Sequence, residues 1–441
     1  MMFGEVARRC AFDFLDNMHG RKLQRLKEVT KAEIVHGVTE DYIHRRVAAI
    51  SEYAAANCPF YRKVGYQGSL DDFPVQTKGD YLAHYNGILS EEYRGRKNHL
   101  ARLTTSGSTG TPFTVYADPD KMNHVNMNFM AVLELNGFRM GMKRGEFRAW
   151  IKGKNTVPLS RQIKNNLRMI DISNMSDDSL AAILERIRRE RIQVLVAYSS
   201  AIVALTDYVE RTKPDLRHLD VEMIFTMGEA LPEATRQKAK ELFGIKPVLS
   251  YGNNENGFIA VSLHGEDSYT IDLYHYYVEI LKMDSDEPAG EGELGRIVVT
   301  DYYNRAFPMI RYDTGDTGKM RFWTDQMGRR HACFTEIYGR RGSLIYNTKG
   351  EPLSIHVFMN NLLNFEGVLR QAKCIQTGLK EYTLVLNPAE GAEVDEEKVI
   401  ASYRNYLGDD ALFTVEYTDG LPIQQSGKTM VAEQRCGAYQ I

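Results

Sequence analysis

Residues 102–116, RLTTSGSTGTPFTVY, bring hydroxyls and glycines into eight consecutive positions: Thr104, Thr105, Ser106, Gly107, Ser108, Thr109, Gly110 and Thr111. Glycines let backbone N–H groups approach an anion, and the hydroxyls add donors, so the chemistry open to this loop is phosphate binding. The lysine of a Walker loop, G-x-x-x-x-G-K-[ST], is missing. Positive charge for a bound triphosphate must therefore come from elsewhere in the chain. Two further polar groups, Met227-Gly228-Glu229 and Tyr251-Gly252-Asn253-Asn254-Glu255, each follow an apolar run.

The elements that must position these groups follow from periodicity. Residues 193–199 (QVLVAYS), 221–228 (VEMIFTMG) and 246–252 (KPVLSYG) read as buried strands. Helical patterns alternate with them: DDSLAAILERIRRERI, SAIVALTDYVERT, and LPEATRQKAKELFG closed by Gly244. That alternation predicts a parallel sheet with helices packed on it, whose ligands sit at the carboxyl ends of strands. Upstream, residues 39–57 place Ile43, Val47, Ile50 and Ala54 at helical spacing, with Thr39 as N-cap and Pro59 just beyond. Past residue 270 the pattern turns antiparallel, in YHYYVEILKM and GRIVVTDYY. A compact α+β unit follows Gly339: a hairpin-like SLIYNTKGEPLS, helix IHVFMNNLLN, strands VLRQAKCIQT and EYTLVLN, helix DEEKVIASYRNYLG and strand ALFTVEYT. The expected division is a large unit at 1–338 and a small one at 339–441, hinged between Gly339 and Gly342.

A chain of 441 residues exceeds one ordinary core, in line with two domains. Its 55 basic and 58 acidic side chains nearly cancel, which supports neither a nucleic-acid partner nor a membrane surface. Cys10, Cys58, Cys333, Cys374 and Cys436 are odd in number and scattered, so a disulfide framework is not expected and a reducing compartment is. The N-terminal stretch is broken by charges every few residues and lacks the apolar core of a signal peptide, and the expected location is cytoplasmic.

Six stretches stand in one order: TSGSTGTP, MGEALP, SYGNNENG, RYDTGD, YGRRGSLI and QSGK. In this order and spacing they resemble the adenylate-forming superfamily of acyl-CoA ligases, adenylation domains and luciferases. Within it the likeness is to the phenylacetate-CoA ligase branch, including relatives from capsular-polysaccharide loci. The resemblance implies an α/β chain (α+β overall). A large N-terminal domain would combine parallel sheets with a β-barrel-like part, and a small mobile α+β C-terminal domain would follow. It also implies a two-step reaction: a carboxylate attacks the α-phosphate of ATP, giving an acyl-adenylate and pyrophosphate, and a thiol then displaces AMP. Such chemistry needs charge neutralisation and in-line placement more than a protein nucleophile.

By the resemblance, Thr105, Ser106, Gly107, Ser108, Thr109 and Gly110 would hold the β- and γ-phosphates. Gly228, Glu229 and Ala230, with Tyr251 and Gly252, would line the adenine slot, the tyrosine ring stacking on the base. Glu255 would bind Mg2+, a hard cation suited to carboxylate oxygen. Asn253 and Asn254 precede it, Asn254 replacing the threonine that touches the α-phosphate in relatives. Asp316 would grip both ribose hydroxyls, and Arg340 would approach the ribose or phosphate. Lys428, in Gln425-Ser426-Gly427-Lys428, would supply the missing positive charge from the small domain.

The likeness departs from its pattern in places. The acid that relatives carry after the hinge arginine is absent from Arg340-Arg341-Gly342-Ser343. A zinc site found in certain relatives is not expected, because residues 253–285 hold His264 and His275 but no cysteine. The acyl pocket is expected between the phosphate loop and the Tyr-Gly motif, with 147–155 and 196–203 as candidates. Trp150 could wall an aromatic acid or fill a core; Lys152 and Lys154 could favour an anionic acid or face water. The acyl acceptor is expected to be coenzyme A, the alternative being a carrier protein, a sugar amine or a protein cysteine such as Cys436. A homodimer remains open.

Overall fold

The computed structural model describes residues 3–436 except 19, 106–112, 149, 151–155, 173–174, 229, 341–344, 351, 354–357, 359–360, 363, 366 and 422–430. Local signals set its helices as read. Thr39 caps the Glu40–Asn57 helix, its hydroxyl accepting from the Tyr42 N–H at 3.2 Å. Gly244, at φ 71°, closes the Glu233–Phe243 helix in the left-handed conformation that glycine adopts without strain.

Four parallel strands form the first sheet, in the order Leu167–Asp171, Arg144–Arg148, Val194–Tyr198, Met223–Met227. The Met223–Met227 strand is buried at every position because both faces are covered. Leu195, Ala197 and Ile224 meet the Asp177–Glu190 and Ser199–Thr212 helices on one side, while Val194, Val196 and Phe225 meet Val132 and Leu133 of the Pro119–Leu135 helix on the other. The Arg144–Arg148 strand is not legible as one because charges alternate along it. Arg144 and Glu146 pair at 3.0 Å, which is how the strand buries them.

Residues 246–252 depart from the expectation of a further parallel strand. Val248 alone bridges the parallel sheet, opposite Phe225. The chain then crosses into an antiparallel hairpin, Ser250–Asn253 with Gly257–Val261. An apolar run of this length is equally compatible with either sheet, and only tertiary pairing separates them.

That hairpin ends a second, antiparallel sheet running Tyr276–Leu281, Gly295–Asp301, Tyr312–Thr324, Arg329–Arg340, Tyr269–Ile271, Gly257–Val261, Ser250–Asn253. The Glu40–Asn57 helix supplies Ile43 to its core beside Ile259, Val278 and Phe334.

Residues 345–436 contain a further four-stranded sheet, Leu412–Tyr417, Glu381–Pro388, Leu369–Gln376, Ala432–Gln434. Its central pair is antiparallel and both outer pairs are parallel. Leu384, Leu386, Val399, Tyr403 and Leu407 give it a core of its own with the Glu396–Leu407 helix. The Ala432–Gln434 strand is absent from the sequence reading: three residues carry no period, and pairing with Cys374–Gln376 defines them. No helix among the described residues is long and apolar enough to cross a membrane.

Candidate active site

Two of the motifs are docked on each other by hydroxyl–carboxylate hydrogen bonds. The strand Tyr312–Thr324 is bulged between Asp313 and Thr317, with Gly315 at φ 78°, and this stretch carries Thr314 and Asp316. At one end the Tyr251 hydroxyl donates to Asp316 Oδ2 at 3.0 Å and lies 3.3 Å from Thr314 Oγ1. At the other, the Tyr312 hydroxyl donates to Glu255 Oε1 at 3.1 Å. Glu255 is 4% exposed. Tyr312 was not singled out from the sequence; its place in RYDTGD, four residues before Asp316, was the available signal.

The Tyr251 ring is buried, edge-on to Phe334 with centroids 5.4 Å apart. Gly252 follows because nothing larger fits. A Cβ there would stand 2.2 Å from the Gly257 carbonyl oxygen and 2.9 Å from the Phe258 Cα. The bulge between Tyr251 and Gly252 lets the turn 254–256 project Glu255 toward Tyr312.

A third motif joins through Asn254, whose amide Nδ2 donates to the Thr104 carbonyl at 3.2 Å. Thr104 and Thr105 close the Ala101–Thr105 strand, paired with Phe113–Ala117 in register Thr104↔Thr114 and Thr105↔Phe113. The phosphate-loop candidates Ser106, Gly107, Ser108, Thr109 and Gly110 fall between these strands and outside the described residues, as does the Thr105 side chain. Asn253 turns inward instead, its Oδ1 accepting from the Asn256 N–H at 2.8 Å.

Gly228 ends the Met223–Met227 strand at φ 76°. The strand is tied to the Tyr-Gly motif by the Ser250 hydroxyl, which donates to the Thr226 carbonyl at 2.6 Å. Ala230 is half-buried nearby in sequence, and Glu229 lies outside the described residues. Arg340 stands opposite Asp316 in the antiparallel ladder, so the backbone brings these two candidates together. Lys428 lies outside the described residues. The other charges of RYDTGD are structural: Arg311 pairs with Glu279 at 3.0 Å and Asp313 with Arg296 at 3.0 Å, all four largely buried.

At the carboxyl ends of the parallel strands, Arg148 reaches Met227 Sδ at 3.9 Å, and the Trp150 indole N–H lies within hydrogen-bonding distance of the Glu146 and Ile170 carbonyls. Trp150 is thus held by the sheet's edge; Lys152 and Lys154 lie outside the described residues. His275 is buried and hydrogen-bonded to Asp272 at 2.6 Å and His124 at 2.9 Å, whereas His264 is exposed.

As to metal, a single buried carboxylate is a donor set that fits Mg2+ shared with phosphate oxygens, since Mg2+ commonly takes only one or two protein carboxylates. Among the described residues, no group of three or more His, Cys, Asp or Glu could hold an ion without such a ligand.

The chain is 23% identical over 353 residues to a phenylacetate-coenzyme A ligase of Thermus thermophilus, spanning 75% of this chain and 77% of the relative. It is 19% identical over 413 residues to Protein CapK of Staphylococcus aureus, spanning 88% of each. Among solved structures it is similar to 2-hydroxyisobutyryl-CoA ligase in its postadenylation state with R3-HIB-AMP, at a TM-score of 0.67, 17% identity and 89% coverage of both chains. No protein-family model matches. The fold is the one seen in 2-hydroxyisobutyryl-CoA ligase. In sequence its similarity is to phenylacetate-coenzyme A ligases and to Protein CapK.

Proposed function

We propose that this chain is an AMP-forming ligase that activates a carboxylic acid with ATP and passes the acyl group to coenzyme A. One observation carries the reading: the Tyr-Gly-Asn-Asn-Glu turn touches both the RYDTGD strand and the strand leading into the hydroxyl-rich loop. Adenylation needs a ribose-binding acid, a metal-binding acid and a phosphate loop; the candidates for the first two, Asp316 and Glu255, and the strand before the third adjoin this turn.

In the first half-reaction a carboxylate oxygen bonds to the α-phosphorus, the bond from that phosphorus to the β-phosphate oxygen breaks, and pyrophosphate leaves. In the second, the sulfur of coenzyme A bonds to the acyl carbon, the acyl–phosphate oxygen bond breaks, AMP leaves, and the thiol proton passes to solvent. Asp316 accepts from the ribose hydroxyls, as a carboxylate with two oxygens can, while the Tyr251 hydroxyl holds its carboxylate and Thr314 Oγ1 accepts from its backbone N–H. Glu255 would hold Mg2+, which when bound withdraws negative charge from the phosphate oxygens. Ser106, Ser108 and Thr109 donate to the β- and γ-phosphates. Lys428 brings an ammonium to the reacting phosphate from residues 339–441, the proposed small domain hinged near Gly339, so that domain movement gates the reaction. Arg340, opposite Asp316, approaches the same nucleotide.

Acid-dependent exchange of labelled pyrophosphate into ATP, run across aryl and aliphatic acids, tests the first step. Exchange with at least one acid is expected, and none with any acid overturns the proposal. Adding coenzyme A should then give a thioester. Exchange without that product would move the acceptor to a carrier protein or to Cys436, which is half-buried just past the Ala432–Gln434 strand.

A further inference from the structure

The Pro119–Leu135 helix turns Lys121 toward the two sheets, and its side chain is 1% exposed. Its Nζ lies 2.6 Å from Asp301 Oδ2, itself fully buried, and donates to the Asn256 carbonyl at 2.8 Å. The Tyr276 hydroxyl donates to the same carbonyl at 2.6 Å. We propose that Lys121 is a positioning residue for Glu255, pinning the turn that aims this acid at its cation; the inference rests on the reading of Glu255 as the magnesium-binding acid.

Burying an ammonium and a carboxylate together is costly in desolvation, and a well-packed apolar pair of the same volume is often at least as stable. Stability alone therefore does not account for this pair. Its geometry does: a carbonyl oxygen offers two lone pairs, and two buried donors from distant segments take both. The carbonyl belongs to the residue after Glu255. The Asn256 side chain is fully buried and its amide atoms have no hydrogen-bond partner among the described residues, so these bonds and the Asn256 N–H bond to Asn253 fix the turn through its backbone. Loss of that anchor would free the turn that holds Glu255 against Tyr312. Lys121 is too deeply buried to meet a nucleotide itself, and its effect passes through the acid.

The test is the gain in ATP affinity that Mg2+ confers, measured by titration calorimetry with Mg2+ and again in EDTA, with AMP as a metal-independent control. Lys121→Met/Asp301→Asn removes both charges together and leaves an acceptor for the Tyr303 N–H that Asp301 now binds. It should cut the magnesium gain about tenfold, and Tyr276→Phe about threefold, each with AMP affinity unchanged. The inference is overturned if both proteins keep the parental gain, or if AMP affinity falls in parallel. Should the double variant fail to fold, Tyr276→Phe decides alone. A parental protein without a magnesium gain, or a Glu255→Gln protein that keeps it, would instead refute the role of Glu255 with Lys121 intact, and both ideas would fall.

Discussion

The Tyr251 hydroxyl stands 3.0 Å from Asp316 Oδ2 although their strands lie four ladder steps apart in one sheet. In a flat sheet four steps span roughly 19 Å, far beyond the reach of a tyrosine side chain. The sheet must curl until its Ser250–Asn253 edge faces the Tyr312–Thr324 strand. That curvature, with Phe334 filling the inside against the tyrosine ring, is what brings Asp316 to the Tyr-Gly motif.

Removing the hydroxyl isolates this contact. Tyr251→Phe should weaken AMP binding about three- to tenfold, because Asp316 loses one charge-assisted donor but keeps its backbone position. Asp316→Asn should cost more, about a hundredfold, since an amide cannot accept from both ribose hydroxyls with two oxygens. Calorimetric titration with AMP separates the two; equal losses would mean that the tyrosine contacts nucleotide directly.

Glu255→Gln and Lys428→Ala are expected to divide the first half-reaction differently. The lysine variant should lose pyrophosphate exchange by about two to three orders of magnitude while ATP still binds, as for a group that stabilises charge only in the transition state. The glutamine variant should also lose magnesium-dependent ATP affinity. Parental exchange in Lys428→Ala would remove the lysine from the chemistry.

Much of this arrangement was legible beforehand, and the parts that were not share a cause. Thr39 and Gly244 announce helix ends through local hydrogen bonding, and Val194–Tyr198 and Met223–Met227 are apolar but for Thr226 because both sheet faces are covered. Motif order pointed to Glu255, Asp316 and Tyr251. Arg144–Arg148 was hidden because its charges are satisfied only in three dimensions, by one another. Lys121 on an amphipathic helix reads as solvated, and nothing local reveals that Asp301 waits 180 residues later to receive it. Tyr312 reaches Glu255 only once the sheet has curled.

Gly252 tests whether the bulge is needed. With a Cβ only 2.2 Å from the Gly257 carbonyl, Gly252→Ala must push the hairpin apart. The expected cost is about 2–3 kcal/mol in urea unfolding, with loss of AMP binding in the fraction still folded. Gly292→Ala, in open space but at φ 74°, should cost less and leave nucleotide affinity unchanged.

The buried pair His124 and His275 predicts a pH dependence of stability. His124 is held down to about 2, first by burial and then by the neighbouring His275, Lys121 and Arg46. In the unfolded chain it titrates near 6.5, so as pH falls below that value the unfolded state takes up a proton that the folded state refuses. Its contribution to stability is complete above about 6.5 and declines steadily toward 2. Between pH 7.5 and pH 5 this histidine should remove about 2 kcal/mol, a window above the titration of most carboxylates. Urea midpoints at the two pH values measure it, and His124→Gln should flatten the difference. Equal slopes in parent and variant would show that another group drives the acid sensitivity, because the glutamine cannot bind the proton.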